Sequence, residues 1–479
     1  MANLNTVRRV FKNTSVLIGA HIISKGISLI LLAYLARYLG KGQMGIYAFA
    51  LSFTIIFVVL GDLGIRDFVV REVSRKRGEA GYFYANGLGV KAILSFFSLI
   101  IIILITLKLG GGRERNLVIL YIGLAAIVGS FSDFTKAFFR AFEKMEYELM
   151  GTLLERFFIL GMVLWGIHQR FPLVRIAELL LVGSLFGLVC NTIIFFLKIS
   201  KPCLSFKLER LQGILRGAAP FALSIVFGTI YWQIDTVMVS LMRGDAEAGL
   251  YGVAYRSLLS LFFLPSFFMT SLFPVMSRSY PISKEKVADL YRKSFKYLFL
   301  LGFPLSVAIF VLSPQIILIL YGKEYMDSVT VIMILSWFIF LKFLNYSTGT
   351  VLWAINRQRQ RAESQGITVV VNVILNYILI KRYGFLGAGI STLITEVFLF
   401  ALYFGYVSKY LCLYHFPRVF YKPFLISLFL GLTVFILKRK DLFLLIPGVI
   451  PLYLFSLSLL KVIDQEDRRL LGRLVRPSS

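Results

Sequence analysis

Residues 231–256 read YWQIDTVMVSLMRGDAEAGLYGVAYR, the end of one apolar segment, a short turn and the start of another. This turn has a counterpart upstream. GDAEAGLYGVA, which begins at Gly244, repeats the pattern of GKGQMGIYAFA, which begins at Gly40, at an offset of 204 residues. Asp235 and Arg256 lie within the apolar sequence on either side of the turn. We interpret the chain as an internal repeat of one helical membrane bundle, with charges where the two halves face each other.

The composition predicts a membrane protein. Of the 479 residues, 58% are hydrophobic and only 16% are charged, too few polar groups to cover the surface of a soluble chain of this length. Apolar runs of about 20 residues, long enough for a helix to cross a bilayer, recur along the whole sequence. We therefore predict an all-α integral membrane protein with about 14 transmembrane helices and no sizeable soluble domain.

The basic residues predict the orientation of the chain. A net charge of +27 would suggest a nucleic-acid partner in a soluble protein, but here Lys and Arg lie mostly between apolar runs. The predicted spans leave about 33 basic residues on one side of the membrane, including the basic loop 71–77, and about 14 on the other. The richer side is predicted to be the cytoplasm, with both termini there, in a cell membrane. No nucleic-acid partner is expected.

The repeat predicts the domain organisation. Its offset covers six spans, and an even number gives two halves of the same orientation, related by a pseudo-twofold axis along the membrane normal. Pro265 and Pro274 predict a kink in the eighth span. The predicted domains are a six-helix lobe at 1–198, a cytoplasmic connector at 199–216, a second six-helix lobe at 217–408, and two additional helices with a basic tail at 409–479.

Basic residues inside the spans are the candidate binding groups. A charge at the centre of a bilayer costs about 2.5–3.5 kcal/mol on insertion scales and usually faces a partner or a water-filled cavity. Arginine also suits bidentate recognition of phosphate. The alternative for each residue is a structural role, such as an ion pair with an acid on a neighbouring helix. The candidate ligands of an anionic substrate are Lys25, Arg256, Lys342, Asn345 and Lys91.

Acidic and amide residues inside the spans form a second group of candidates. Asp235 and Glu396 could carry a coupling ion or pair with a cavity cation, and a structural salt bridge is again the alternative. Gln365, Asn372 and Asn376 share one face of the eleventh span and are predicted to hydrogen bond to a neighbouring helix, with the lining of a cavity as the alternative. The dipeptide Glu155–Arg156 fits a position either at the level of the lipid head groups or in a cavity.

The sequence predicts a transporter and not an enzyme. It contains no Walker A, HExxH or GxSxG motif, and no stretch between spans exceeds about 25 residues. Its three histidines and three cysteines are scattered, without the spacing of a metal site. We expect no metal and no cofactor, apart from a coupling H+ or Na+.

Four segments resemble, in order, those of Wzx-type polysaccharide flippases of the multidrug/oligosaccharidyl-lipid/polysaccharide exporter superfamily. The resemblance covers essentially the whole chain, and fourteen spans match these flippases better than twelve-span drug exporters. The segments are ARYLG at 36–40 with GIY at 45–47, QIDTVM at 233–238, GLY at 249–251 with AYR at 254–256, and RYGFLGAGIST at 382–392.

The resemblance implies two lobes in a V shape with alternating access to a central cavity. The implied substrate is a polyprenyl-phosphate- or polyprenyl-diphosphate-linked oligosaccharide, moved from the inner to the outer leaflet, with Lys25 and Arg256 as head-group ligands. Membrane lipids and glycan-assembly enzymes would be the partners, and a monomer contains the whole path. No second acid accompanies Asp235, which leaves ion coupling at that residue open.

Two alternatives remain at this point. A cation-coupled multidrug exporter of the same fold would favour an acidic or apolar cavity, against which the buried Lys and Arg residues argue. A membrane glycosyltransferase or polymerase acting on the same lipids would need catalytic acids in a sizeable outer loop, and the sequence has no such loop.

Overall fold

The computed structural model describes residues 4–200, 208–411, 421–437 and 453, and within these ranges the chain is helical without a β-strand. Short 3₁₀ turns separate some of the helices. The helices are α1 (Leu4–Val58), α2 (Ile65–Arg75), α3 (Ala80–Leu109), α4 (Gly112–Ala141), α5 (Met145–His168), α6 (Leu173–Lys198), α7 (Leu208–Arg243), α8 (Asp245–Leu259), α9 (Phe263–Ser279), α10 (Lys284–Leu320), α11 (Ser328–Ala354), α12 (Gln358–Tyr383), α13 (Phe385–Leu411) and α14 (Tyr421–Leu437).

The described chain contains eleven segments long and apolar enough to cross a membrane, which confirms a multi-pass membrane protein. One of them, Ile22–Gly61, has 40 residues and carries the first two predicted spans, with non-helical backbone at Gly40 between them. The 17-residue α14 coincides with the predicted thirteenth span. The predicted fourteenth span, 442–460, and residues 201–207 of the predicted connector lie outside the described residues. The helices therefore follow the predicted order from the first span to the thirteenth.

The two turns of the repeat have nearly the same backbone conformation. Gly40 has φ 67° and ψ 170°, and Gly244 has φ 94° and ψ 170°. Residues with a β-carbon rarely adopt a positive φ with this ψ, because the β-carbon collides with the backbone. The repeat seen in the sequence thus specifies one tight turn twice, once within α1 and once before α8.

α1 and α8 approach each other through glycines at equivalent positions of the repeat. A β-carbon added to Gly249 would collide with the carbonyl oxygen of Lys41, and one added to Gly45 would collide with the carbonyl oxygen of Asp245. The two contacts are reciprocal, because Lys41 and Asp245 are themselves equivalent positions of the repeat. Glycine at both places lets the two backbones touch. We call this contact the α1–α8 seam.

Further along the seam, residues meet their own counterparts. Gly252 packs against the β-carbon of Ala48, and Arg256 hydrogen bonds to Ser52, which lies 204 residues upstream. Contacts between equivalent residues occur at a twofold axis. The two turns and the helices beside them are therefore related by a local twofold symmetry at the seam.

The segment after the second span forms a helix where the sequence predicted a basic loop. α2 buries an apolar face made of Ile65, Phe68, Val69 and Val73, and leaves its charged residues on the other side. The buried face belongs to a hydrophobic core that also contains Tyr84 from α3 and Phe134 from α4. The prediction was wrong because the charges of this segment concealed its helical apolar spacing.

The helix of the eighth predicted span is interrupted, but the interruption lies before the two prolines that were predicted to kink it. A 3₁₀ turn at Ser260–Phe262 separates α8 from α9, whereas Pro265 lies in the first turn of α9 and Pro274 lies inside it. A proline cannot donate to the carbonyl four residues before it, which for Pro265 is that of Leu261. The helical bonding is therefore interrupted in the turn that precedes Pro265.

The chain divides into two compact units by its contacts. The first comprises residues 1–260 and 365–391, and the second comprises residues 261–364 and 392–479. This boundary differs from the predicted one at 199–216, in part because the α1–α8 seam ties α8 into the first unit. The lobes that the repeat defines remain a prediction.

Candidate functional site

Arg256 is held by the α1–α8 seam. It lies two turns beyond Gly249 on α8, and its Nη2 donates to the Ser52 hydroxyl at 2.9 Å and to the Ala48 carbonyl at 3.4 Å. Its Nε is shielded from solvent and has no hydrogen-bond partner. Within the described chain, Arg256 thus bonds to neutral groups only, and part of its donor capacity is unused.

Arg156 acts on the same tyrosine as Arg256, and Lys25 acts on Arg156 in turn. Arg156 on α5 and Arg256 both act electrostatically on the hydroxyl of Tyr47, a side chain that is 7% exposed. Lys25 on α1 lies near enough to Arg156 for the two positive charges to repel each other. We call Lys25, Arg156 and Arg256 the cationic row. Two of its members are predicted site residues, and Arg156 is an addition.

Among the described residues, no carboxylate pairs with the cationic row. Neither Lys25 nor Arg156 forms a hydrogen bond or ion pair there, and the Nε of Arg156 is buried without a partner. Lys25 is exposed although it lies in a membrane segment. Positive charges that keep unused donors in apolar surroundings are suited to phosphate groups.

Asp235 lies at the centre of a buried polar network. Its Oδ2 accepts a hydrogen bond from Tyr251 of α8 at 3.0 Å, and its Oδ1 accepts one from Asn376 of α12 at 2.6 Å. The Asn376 amide also donates to Asn372 at 3.1 Å, and Asp235 is 2% exposed. We call these four residues the Asp235 network. The predicted bonding of Asn376 to a neighbouring helix is confirmed.

The Asp235 network offers oxygen ligands and one titratable carboxylate. Hard cations such as Na+ favour carboxylate and amide oxygens, and a buried carboxylate can instead take up a proton. In the part of the chain that the structure describes, no three His, Cys, Asp or Glu residues gather into a group that could hold a metal ion. Uptake of a coupling H+ or Na+ by Asp235 stays a prediction.

The second unit brings together three predicted site residues from two helices. Glu396 of α13 accepts from Lys342 of α11 at 3.2 Å and from the Asn345 amide at 2.6 Å, and its own carbonyl accepts from Asn345 at 3.1 Å. Lys342 is 8% exposed and Glu396 is 0% exposed. We call Lys342, Asn345 and Glu396 the buried charge cluster. The geometry matches the structural alternative for Lys342, and a role of these residues in binding or coupling stays a prediction.

Lys91 lies in a buried ion pair on α3. Its Nζ contacts the Asp62 carboxylate at 3.3 Å and the Gly61 carbonyl at 3.4 Å, and it lies over the ring of Phe131. The side chain is 0% exposed. This geometry also favours the structural alternative. Substrate binding by Lys91 remains a prediction that no described contact supports.

Arg156 is the residue that the sequence did not select. The sequence placed the Glu155–Arg156 dipeptide either at the level of the lipid head groups or in a cavity, and consecutive residues of a helix point in different directions. Glu155 instead accepts from Lys136 of α4 at 2.9 Å, and Lys136 also contacts Asp133 at 3.4 Å. The available signal was the helical direction of the two side chains, which leaves Arg156 without Glu155 as its partner.

Comparison with known proteins gives a consistent set of relatives. Residues 10–280 match the family described as polysaccharide biosynthesis protein, and residues 220–378 match the MatE family. The chain is 23% identical over 395 residues to the probable low-salt glycan biosynthesis flippase Agl15 of Haloferax volcanii, covering 82% of each chain. It is 22% identical over 342 residues to the lipopolysaccharide biosynthesis protein WzxC of Escherichia coli K12, covering 70% of this chain and 68% of WzxC.

The solved structures include one with a similar fold over nearly the whole chain. The lipid II flippase MurJ, in its inward closed conformation, superposes with a TM-score of 0.75 at 18% sequence identity. The superposition covers 92% of this chain and 97% of MurJ. At this level of identity the likeness establishes a common fold, and residue roles have to be argued from the present structure.

Proposed function

The chain belongs to the polysaccharide biosynthesis protein family, and we propose that it is a flippase for a polyprenyl-(di)phosphate-linked oligosaccharide. It moves this lipid from the cytoplasmic to the outer leaflet. Two relatives carry names from glycan and lipopolysaccharide biosynthesis, and the structural neighbour is named a lipid II flippase. These names agree with the function that the site supports.

The observation that carries the proposal is the cationic row. Its positive charges lie within membrane segments and meet no carboxylate among the described residues. Such an arrangement is unfavourable for an empty protein but attracts an anion that replaces the missing partner. The phosphate of the lipid head group binds there, the sugars occupy the adjoining hydrated space, and the polyprenyl chain stays in the bilayer. Alternating access to this basic cavity then exposes the head group on the outer side.

We propose the Asp235 network as the site of coupling. Binding of H+ or Na+ to Asp235 neutralises a buried carboxylate and changes its bonds to Tyr251 and Asn376, which come from two different helices. We expect Asp235→Asn to retain downhill flipping and to lose the acceleration that an imposed H+ or Na+ gradient gives to the wild type. A variant that still responds to both gradients would contradict coupling at Asp235.

We also propose a location and partners for the protein. The excess of Lys and Arg in the loops on one side supports a location in the cell membrane with both termini on the cytoplasmic side. The protein functions as a monomer, receives its substrate from glycan-assembly enzymes on the cytoplasmic side, and releases it to the outer leaflet.

The test is transport in proteoliposomes. A fluorescent lipid-linked oligosaccharide is incorporated, and its appearance in the outer leaflet is followed by quenching, for the wild type, Arg256→Ala and Lys25→Ala. We expect flipping by the wild type and loss of flipping in both variants, with unchanged elution in size-exclusion chromatography.

The same vesicles separate the proposal from its alternatives. A wild type that moves no such lipid but exports organic cations is a drug exporter, and the cationic row then has a structural role. A wild type that extends or polymerises the glycan is an enzyme, and mass spectrometry of the recovered lipid reveals this outcome.

A further inference from the structure

The hairpin that joins α3 and α4 encloses a cavity that the proposed function does not use. Its volume is about 510 Å³, within the range of about 300–1,000 Å³ that is typical of small-molecule sites. Both helices belong to membrane segments, so the cavity lies beside the hydrocarbon of the bilayer. Most of its wall is apolar and consists of Ile102, Ile103, Leu107, Leu117 and Leu120.

The cavity can be reached from the bilayer. Ile103 and Leu107 both line it, and they are 37% and 65% exposed on the surface of the protein. Leu104, on the turn between them, is 62% exposed. Large apolar side chains that are exposed within a membrane segment face lipid chains. A lipid chain from the surrounding bilayer therefore lies next to the cavity and matches the chemistry of its wall.

The remaining part of the lining is polar and lies in the first turns of α4. Arg113 and Asn116 share one face of this helix, and both line the cavity. Within the described chain Arg113 forms no hydrogen bond or ion pair, and the Oδ1 of Asn116 is shielded from solvent without a partner. Glu114 is exposed and lies outside the lining. An arginine donates to phosphate oxygens and an amide oxygen accepts from a hydroxyl group, so both needs are met by a ligand that carries these two groups.

The backbone at the start of α4 adds further donors. The residue before the helix, Gly111, supplies no side-chain cap, so the first N–H groups of α4 keep their capacity to donate. The positive end of the helix dipole favours an anion at the same place. Gly110 and Gly112 line the cavity with positive φ, and a β-carbon added to either would meet nothing within 4 Å. This glycine turn leaves open space for a head group beside the helix end.

The order of the lining residues along α4 is that of a lipid. The polar residues lie in the first turn and a half, whereas Leu120 lies about 12 Å further into the span by the rise of an α-helix. The hairpin is at the end of α3 remote from α2, and Arg115 beside it forms an ion pair with Asp245 of the α7–α8 turn at 3.2 Å. In the proposed orientation of the chain this end of α3 is at the outer leaflet.

We propose that the cavity between α3 and α4 binds one resident membrane phospholipid whose head group carries a phosphate and a free hydroxyl group, as phosphatidylglycerol does. Arg113 and the first N–H groups of α4 bind the phosphate, and the Oδ1 of Asn116 accepts a hydrogen bond from the hydroxyl. One hydrocarbon chain lies along the apolar wall. The site uses none of the residues proposed to bind the transported lipid, and the inference does not depend on what the protein transports.

The experiment measures lipid binding to the purified protein by native mass spectrometry. Three lipids with identical acyl chains are compared: phosphatidylglycerol, phosphatidylmethanol, which has the same charge but no hydroxyl, and the zwitterion phosphatidylcholine. The proteins are the wild type, Arg113→Gln, Asn116→Leu and the control Lys108→Gln. The control removes an equal charge from the last turn of α3, outside the cavity lining. Thermal unfolding establishes that each variant is folded.

We expect the wild type to bind one phosphatidylglycerol about tenfold more tightly than phosphatidylcholine and about threefold more tightly than phosphatidylmethanol. Arg113→Gln lowers the affinity for phosphatidylglycerol to that for phosphatidylcholine. Asn116→Leu removes only the preference over phosphatidylmethanol, and Lys108→Gln keeps both preferences.

Three results would overturn the proposal. The first is equal affinity of the wild type for the three lipids, and the second is an equal loss of affinity in Arg113→Gln and Lys108→Gln. The third is displacement of phosphatidylglycerol by an equal concentration of polyprenyl phosphate, which would assign the cavity to the transported lipid. A wild type that flips no lipid-linked oligosaccharide but shows the expected preferences would overturn the proposed function and leave this site standing.

Discussion

The cationic row of the first unit and the buried charge cluster of the second begin from the same sequence signal, a basic residue within an apolar helix. In the cluster, Lys342 meets Glu396 at 3.2 Å, and Asn345 occupies another oxygen of that carboxylate. In the row, Lys25 and Arg156 meet no acid among the residues described. The role of a charge inside a membrane protein can therefore be inferred only once its partner is known. A charge that is neutralised by a protein group supports a structural role, and a charge without such a group is suited to binding a ligand.

The largest expected effect comes from breaking the buried charge cluster. Glu396→Leu removes the carboxylate that Lys342 meets at 3.2 Å, and we expect a loss of stability of about 3–5 kcal/mol. The double variant Lys342→Met/Glu396→Leu removes both charges and should recover most of this loss. Thermal unfolding of the detergent-solubilised protein measures both. A stable single variant that cannot flip lipid would instead assign the cluster to transport.

The next largest loss of stability is expected from substitutions in the α1–α8 seam that holds Arg256. Gly249→Leu places a side chain where the Lys41 carbonyl lies, and overpacking of this kind typically costs about 1–3 kcal/mol. Because the contacts are reciprocal, Gly45→Leu should cost a similar amount against the Asp245 carbonyl. Gly26→Leu is the matched control, since a β-carbon there meets nothing within 4 Å. Unequal losses at Gly45 and Gly249 would contradict the symmetry of the seam.

The smallest effect on stability is expected within the cationic row itself. Lys25→Gln removes no described contact, and we expect a change in stability within about 0.5 kcal/mol together with a clear loss of flipping. Lys91→Gln is the comparison, because it breaks the buried pair with Asp62 and should lower stability more than flipping per folded molecule. If the two variants behaved alike in both measurements, the distinction between paired and unpaired cations would fail.

The fold was predictable because its signals are local. Apolar length located the spans through the twelfth, and the repeat located both glycine turns. The α2 helix was missed since its charges concealed four apolar residues at helical spacing. The compact units depend on which helices pack together, so they are a different division from the lobes of the repeat, which stay a prediction.

The sequence identified residues of the candidate site but not the contacts that they make. Asp235, Lys342, Asn345 and Glu396 were recognised as polar residues in apolar sequence, but Asn376 lies 141 residues from its partner Asp235 and Glu396 lies 54 from its partner Lys342. No local pattern encodes such distances. Arg156 was considered only together with Glu155, at the head-group level or in a cavity. Helical geometry separates adjacent side chains, and a residue on another helix took the acid.

The α1–α8 seam has a consequence for the ancestry of the chain. Residues that touch their own counterparts across an axis are what two identical subunits place at the centre of a symmetric dimer. The seam thus retains the geometry of a homodimer interface inside one polypeptide, with 204 residues of chain in place of a second copy. Arg256 against Ser52 marks where this symmetry was given up. In a homodimer both positions would carry the same side chain, whereas a single chain that holds both copies can keep an arginine in one and the hydroxyl that binds it in the other.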